Sequence, residues 1–359
     1  MAINYAKLFN RRSTPQSQPI PGSTQVANSA GGYAWPVDDW TRLDRFLILG
    51  AEGGTYYIGE RDLVKQNHDA LVCCIKADGV RAVNRIVEIS DSGRAPKNDP
   101  AIFALRRAAA MQAYYEHMPL RRSAFPRGSA MQLYRRAQYG DLLDLNLLDT
   151  RQFRTDQPCE DRFNSSCDGV NALEAQVLGQ AQEAWLLNNL DRSQATWKVL
   201  AQQIMVMDLD RNPGDDYGVN PDSWAGYRVP RERLLRHIRD RRIANTVVLT
   251  GDEHQNYAGE LFLDGRNPEG APIATEFVTT SISSGGDGVN QRPDMARIQS
   301  ANSQLKFNNA QRGYVICDVT PERWQTEFKV LDQIHNRDGV LTTRTTLAIE
   351  AGDARLVAA

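Results

Sequence analysis

Asp252 and His254 are the pair in this 359-residue chain whose types and spacing most directly suggest chemistry. A carboxylate and an imidazole two residues apart, in Gly251-Asp252-Glu253-His254, could both reach one metal ion. The alternative is that Asp252 caps a turn and His254 is a surface histidine, and so short a motif does not choose between them. What precedes it helps. Val247-Val248-Leu249, flanked by Thr246 and Thr250, reads as a strand buried on both faces. Gly251 breaks that strand and delivers the pair at its carboxyl end, where ligands collect in open α/β sheets.

A second buried strand is predicted over 275–280. It runs into the glycine-containing loop Ser281-Ile282-Ser283-Ser284-Gly285-Gly286, so two loops could lie side by side over one site. Around them the pattern is a sheet with helical crossovers. Strands are expected over 142–148, 198–205, 313–319 and 324–330. An amphipathic helix over 176–190 should bury Trp185 and Leu186. A strongly basic helix over 231–242 carries Arg231, Arg233, Arg236, Arg239, Arg241 and Arg242. Glu232 and Asp240 interrupt that run, which reads as a solvated face rather than an RNA groove.

Composition sets outer bounds. Hydrophobic residues make up 41% and charged residues 24%, an ordinary soluble balance, and a formal charge of −2 gives no general case for nucleic-acid binding. No apolar run approaches the ~20 residues that span a bilayer, so no membrane association is expected. The first 30 residues lack an apolar stretch behind their basic residues and read as a flexible arm, which implies a cytoplasmic protein. Cys73 and Cys74 sit in an apolar helical pattern as small core residues. Cys159 and Cys167 flank a polar loop long enough to close a disulfide, which would suit an oxidising compartment instead.

From 31 to 105 short helices are expected between glycine stops. The first covers 38–49 and ends at Gly50, the second 60–77, the third 80–90, and a fourth begins at Asp99-Pro100 with proline in the first turn. This stretch resembles the N-terminal end of the TROVE module of the Ro ribonucleoprotein family. The resemblance is carried by Gly31-Gly32-Tyr33-Ala34-Trp35, Asp38-Asp39-Trp40-Thr41-Arg42-Leu43, Gly50-Ala51-Glu52-Gly53-Gly54-Thr55-Tyr56-Tyr57 and Gly93-Arg94-Ala95-Pro96-Lys97-Asn98-Asp99-Pro100. It implies a HEAT-like helical repeat fragment and RNA as a partner through residues 31–105. Only the opening arc of that ring is represented.

From Arg106 onward the chain resembles the C-terminal part of a PhoD-type alkaline phosphatase, a branch of the metallophosphoesterases. The matching pieces include Tyr114-Tyr115-Glu116-His117-Met118-Pro119, Leu148-Asp149-Thr150-Arg151-Gln152-Phe153-Arg154-Thr155-Asp156, Leu178-Gly179-Gln180-Ala181-Gln182, Asp222-Ser223-Trp224-Ala225-Gly226-Tyr227 and Gly251-Asp252-Glu253-His254. The resemblance implies a phosphate ester substrate and calcium and iron as metals. It makes Asp252 and His254 metal ligands, and these two with Arg151 and Arg154 the catalytic set. An arginine fork at Arg151 and Arg154 could hold phosphate oxygens; the alternative is pairing with Asp149 or Asp156.

The family's early ligands lie in a Gly-Asp-X-X-Tyr segment and an Asp-Asp-His-Glu segment, and this chain has no His-Glu dipeptide. Gly214-Asp215-Asp216-Tyr217 is similar to the first but falls between later motifs and is read as unrelated. The expected architecture is therefore an α-helical repeat fragment (HEAT-like) over 31–105, followed over 106–359 by an α/β metallophosphoesterase-like domain lacking its first half. The expected function is a metal-dependent phosphoester hydrolase that is incomplete and weakly active or inactive. The alternatives are a TROVE-type RNA-binding protein and a fusion product with neither activity. A phosphatase half taken from an exported protein would reconcile the cysteine pair with the missing address.

Overall fold

The structure, a computed structural model, describes residues 100–163, 166–214 and 217–359, together with four short backbone strands before them. The chain divides into two compact units, Met1–Gln132 and Leu133–Ala359.

In the first unit, Val26–Ala27 pairs antiparallel with Tyr33–Ala34, and Arg45–Leu49 with Tyr56–Glu60. The helix expected over 38–49 is corrected at its end. Phe46-Leu47-Ile48-Leu49 and Tyr56-Tyr57-Ile58 are aromatic and β-branched or leucine runs separated by three glycines, a composition that suits a hairpin at least as well. The remaining helices expected before residue 99, with Cys73 and Cys74, lie outside the described residues. Helix α1 (Pro100–His117) starts at the proline, as expected, because proline has no N–H to lose in a first turn. It runs unbroken across Leu105 and Arg106. Among the described residues no helix is long and apolar enough to cross a membrane.

The second unit carries the strands β1 (Arg135–Tyr139), β2 (Leu143–Leu147), β3 (Trp197–Ala201), β4 (Thr246–Thr250), β5 (Asn256–Leu261), β6 (Ala274–Val278), β7 (Gly288–Val289) and β8 (Leu305–Gln311). They form one sheet in the order β7-β8-β5-β6-β4-β3-β2-β1. Its middle, β2-β3-β4-β6, is parallel, and the flanking pairs are antiparallel. Helices α2 (Gly179–Arg192) and α3 (Arg228–Asp240) pack on one face, where Leu186, Leu190, Leu234, Leu235 and Ile238 meet Leu200 and Val248.

The late strands do not extend this sheet. β9 (Gly313–Val319), β10 (Arg323–Leu331), β11 (Leu341–Glu350) and β12 (Val357–Ala358) form a second, antiparallel sheet. It covers the other face: Trp324, Phe328 and Ile349 meet Trp197, Val199, Val247 and Phe277. Trp197 and Trp324 stand edge to face, 5.8 Å between centroids, and the Trp197 indole donates to the Thr320 carbonyl. Val247 and Val248 thus point into different cores, which is why the strand has no polar face.

Two details differ from expectation. The strand expected over 198–205 ends at Ala201, because Gln202 and Gln203 turn their amides to other work. Gln202 donates to Thr250 Oγ1 (2.7 Å), and Gln203 accepts from the backbone and hydroxyl of Thr150. In α3, Arg231 is not part of a solvated face. It is 1% exposed and donates to the carbonyls of Val206, Leu263 and Phe262 at 2.7–2.9 Å. Arg236, Arg239 and Arg241 do lie on the exposed side. Trp185 is partly buried and Leu186 fully buried.

Candidate functional site

The site is built where the parallel strands end. After β2, Asp149 accepts from the backbone N–H groups of Arg151 (3.1 Å) and Gln152 (3.0 Å), which bends the chain and projects Arg151 and Arg154. The bend is pinned from behind. Gln182 of α2 accepts from the Asp149 N–H at 2.8 Å and donates back to its carbonyl at 2.8 Å, and Gln203 holds Thr150.

Both arginines converge on Asp222. Arg151 Nη1 donates to the two Asp222 oxygens at 2.7 and 2.8 Å, and Arg154 Nη1 donates to Oδ1. Gln157 Nε2 adds a contact at 3.3 Å. Burial pushes the Asp222 carboxyl up, but the charges and hydrogen bonds of Arg151 and Arg154 outweigh it and hold the group below its usual value. Asp222 is positioned by its own turn: Asn220 accepts its N–H, and Ser223 caps the helical turn Trp224–Gly226. Gly226 is required there, since a Cβ would lie 2.3 Å from the Pro221 carbonyl oxygen.

Asp252 and His254 follow β4 on a loop, both in the left-handed region, at φ 66° and 54°. Such a conformation is uncommon for non-glycine residues and is held here by its neighbours. Arg151 Nη2 reaches Asp252 Oδ2 at 3.0 Å, so one guanidinium joins the loop after β2, the Asp222 turn and the loop after β4. Between the pair, Glu253 ion-pairs with Arg211 at 2.9 Å, both side chains under 10% exposed. Arg312 donates to the His254 carbonyl (2.7 Å), to Thr280 Oγ1 (3.2 Å) and to the Gly286 carbonyl (2.8 Å). The expected neighbouring of the loops after β4 and β6 is thus found, because the two strands pair in parallel with Val278 opposite Thr250.

Beneath the loops Glu276 of β6 is fully buried. Its carboxylate accepts from Val206 N–H (2.8 Å), Met207 N–H (2.7 Å) and Thr250 Oγ1 (2.6 Å). Burial pushes its pKa up to about 7, against the pull of those donors. The Cys159–Cys167 disulfide is formed.

Asp222, Asp161, the Arg211–Glu253 pair, Arg312 and Glu276 were not singled out by sequence. Asp222 and Glu253 stood in matched motifs and Glu276 in a predicted strand, while Asp161, Arg211 and Arg312 carried no local signal. Among the described residues no group of three or more His, Cys, Asp or Glu side chains converges to hold a metal ion. Asp252 instead neutralises Arg151, so the described residues do not by themselves fit a metal centre.

Comparison with known proteins agrees with this geometry. The family model for PhoD-like phosphatase matches residues 89–328. Alkaline phosphatase D of Bacillus subtilis is 41% identical over 266 residues, 74% of this chain and 46% of that protein. A solved structure titled "Structure of PhoD" superposes with a TM-score of 0.70 at 40% identity, covering 73% of this chain and 50% of the other. RNA-binding protein RO60 of Deinococcus radiodurans is 34% identical over 102 residues, 28% of this chain and 19% of the relative. The chain spans about half the length of the phosphatase relative and a smaller share of the RNA-binding one. With the family match covering most of its length, the chain belongs to the PhoD-like phosphatase family.

Proposed function

We propose that residues 106–359 are the C-terminal part of a phosphoester hydrolase of the alkaline phosphatase D type, with Asp252, His254, Arg151 and Arg154 as its site. We infer further that this chain alone hydrolyses phosphate esters weakly or not at all. The observation that carries the reading is the Arg151–Asp252 ion pair. A phosphate-binding residue type, 101 positions away in sequence, meets the carboxylate of the late metal motif at 3.0 Å. An arginine there can orient phosphoryl oxygens bidentately.

The inference of weak activity rests on charge and donor number. Arg151 and Arg154 are already paired to Asp222 and Arg151 to Asp252, so an entering phosphoryl group competes with carboxylates for both guanidinium groups. Calcium and iron, implied by the family resemblance, would need donors beyond the described residues. Losing preorganised electrostatic stabilisation costs roughly 3–4 kcal/mol per group removed, or two to three powers of ten in rate.

The test is hydrolysis of phosphomonoesters and phosphodiesters by monodisperse protein supplemented with calcium and iron, with His254→Ala as control. Turnover near background in both is expected. Robust turnover that vanishes in His254→Ala would overturn the inference of weak activity.

A second reading, RNA binding through residues 31–105, is favoured by the RO60 matches in Deinococcus radiodurans and Caenorhabditis elegans, the latter 31% identical over 122 residues. Titration of a structured small RNA at two salt concentrations tests it. Salt-dependent submicromolar binding would support it.

A further inference from the structure

The turn closed by the Cys159–Cys167 disulfide is built at some cost. Cys159, Glu160 and Asp161 are three consecutive non-glycine residues in the left-handed region, at φ 59°, 55° and 55°. That conformation costs roughly 1–2 kcal/mol per residue and is rarely adopted in succession. The disulfide, and the packing of Cys159 with Val170, Val219 and Ala225, hold it in place.

The turn presents two side chains to the site. Asp161 lies beside the arginine cluster: burial and Asp222 raise its pKa, and Arg154 and Arg151 pull it down. Two residues on, Phe163 is 60% exposed, yet the Arg211 guanidinium sits 5.5 Å from its ring centroid. Arg211 is itself buried and ion-paired to Glu253, the residue between Asp252 and His254. The turn therefore reaches from the Asp222 clasp to the loop after β4, and at its far end one face of a phenyl ring is backed by a fixed cation while the rest meets solvent.

We propose that Phe163 is a specificity-determining residue: its open face stacks on a planar aromatic group esterified to phosphate, while Arg151 and Arg154 take the phosphoryl end. The substrate class is then aromatic phosphate esters, nucleotides among them, in preference to aliphatic ones. An aromatic ring suits this role because every planar base or aryl group offers a π-face, and a cation behind the ring fixes its position. The proposal rests on the phosphoester reading of the same site.

Equilibrium binding to the full chain, disulfide intact, separates the two. The probes are adenosine 5′-monophosphate, glycerol 3-phosphate and inorganic phosphate, each against the unmodified protein, Phe163→Ala, Phe163→Trp and Arg151→Ala. Adenosine 5′-monophosphate should bind at least about fivefold tighter than glycerol 3-phosphate, the alanine-substitution scale for one stacked base. Phe163→Ala should bring the two within twofold of each other, Phe163→Trp should keep the preference, and Arg151→Ala should weaken all three probes. Equal binding of the two esters by the unmodified protein, or a preference that survives Phe163→Ala, overturns the role of Phe163 and leaves the phosphoester reading standing. Binding of no probe, or binding indifferent to Arg151→Ala, overturns the phosphoester reading and the inference with it.

Discussion

Glu276→Gln should change the pH dependence of stability more than stability itself. The Glu276 carboxyl is fully buried and its pKa is raised from 4.5 to about 7. For an acid raised on folding, the native state binds the proton and the unfolded state does not between those two values. Stability from this group is therefore full below pH 4.5 and is lost as pH rises towards 7. At about 1.4 kcal/mol per pH unit, the loss across the window is about 3 kcal/mol. Thr250 Oγ1 donates to this carboxyl at 2.6 Å, and a hydroxyl that donates to the carboxylate can turn to accept from the neutral acid. Glutamine cannot ionise, but its amide NH2 replaces one of two oxygens that accept from Val206 and Met207 N–H groups. A donor then faces a donor, a mismatch of about 1–3 kcal/mol at any pH. The variant should thus be less stable than the unmodified protein at pH 5 and close to it at pH 8. Urea unfolding of both proteins at half-unit steps from pH 4.5 to 8.5 reads the difference directly, with all other titrating groups cancelling. Parallel stability curves, offset by a constant, would refute the buried-acid account.

Three further outcomes follow from the same geometry. Arg231→Ala leaves three buried carbonyls of Val206, Phe262 and Leu263 without their donor, and should lower unfolding free energy by about 3 kcal/mol or more, measured by denaturant titration. Gly226→Ala puts a Cβ against the Pro221 backbone, and should cost about 1–3 kcal/mol while weakening phosphate binding through the displaced Asp222 turn, read by calorimetry. Denatured protein should show fewer than five free thiols before reduction and five after it; five before reduction would count against the Cys159–Cys167 bridge.

Strand β4 was legible because its central residues leave no polar face. Val247-Val248-Leu249 reads as a strand packed from two sides, and the parallel pairing of β4 with β6 brings the loops that follow them together. What covers the second face was not legible, since an alternating strand such as β10 does not say which sheet it joins. Arg231 was legible and misread. It stands at i to Leu234, Leu235 and Ile238 at i+3, i+4 and i+7, which is the apolar stripe of α3, and its position outweighs its charge type. Asp222 could not be paired with Arg151 from sequence, because 71 residues separate them and only the ends of the paired strands β2 and β3, with the Trp224–Gly226 turn, bring them together.

That pairing bears directly on what the site can bind. A guanidinium has a planar fork that suits a carboxylate or a phosphate equally well, and in Arg151 the fork is already divided between Asp222 and Asp252. Arg154 spends its Nη1 on the same Asp222 oxygen. Any phosphoryl group that enters must displace Asp222 from the arginines or bring positive charge of its own to the carboxylates. The first route exchanges one anion for another, so its gain is the second charge of a phosphate dianion less the desolvation of that phosphate and the loss of the Asp222 ion pairs. The second leaves the clasp intact and uses Asp222 to fix two arginines in one orientation. Phosphate binding that tightens in Asp222→Asn points to the first route, and binding that weakens points to the second, because an amide still touches the arginines but no longer holds them with charge.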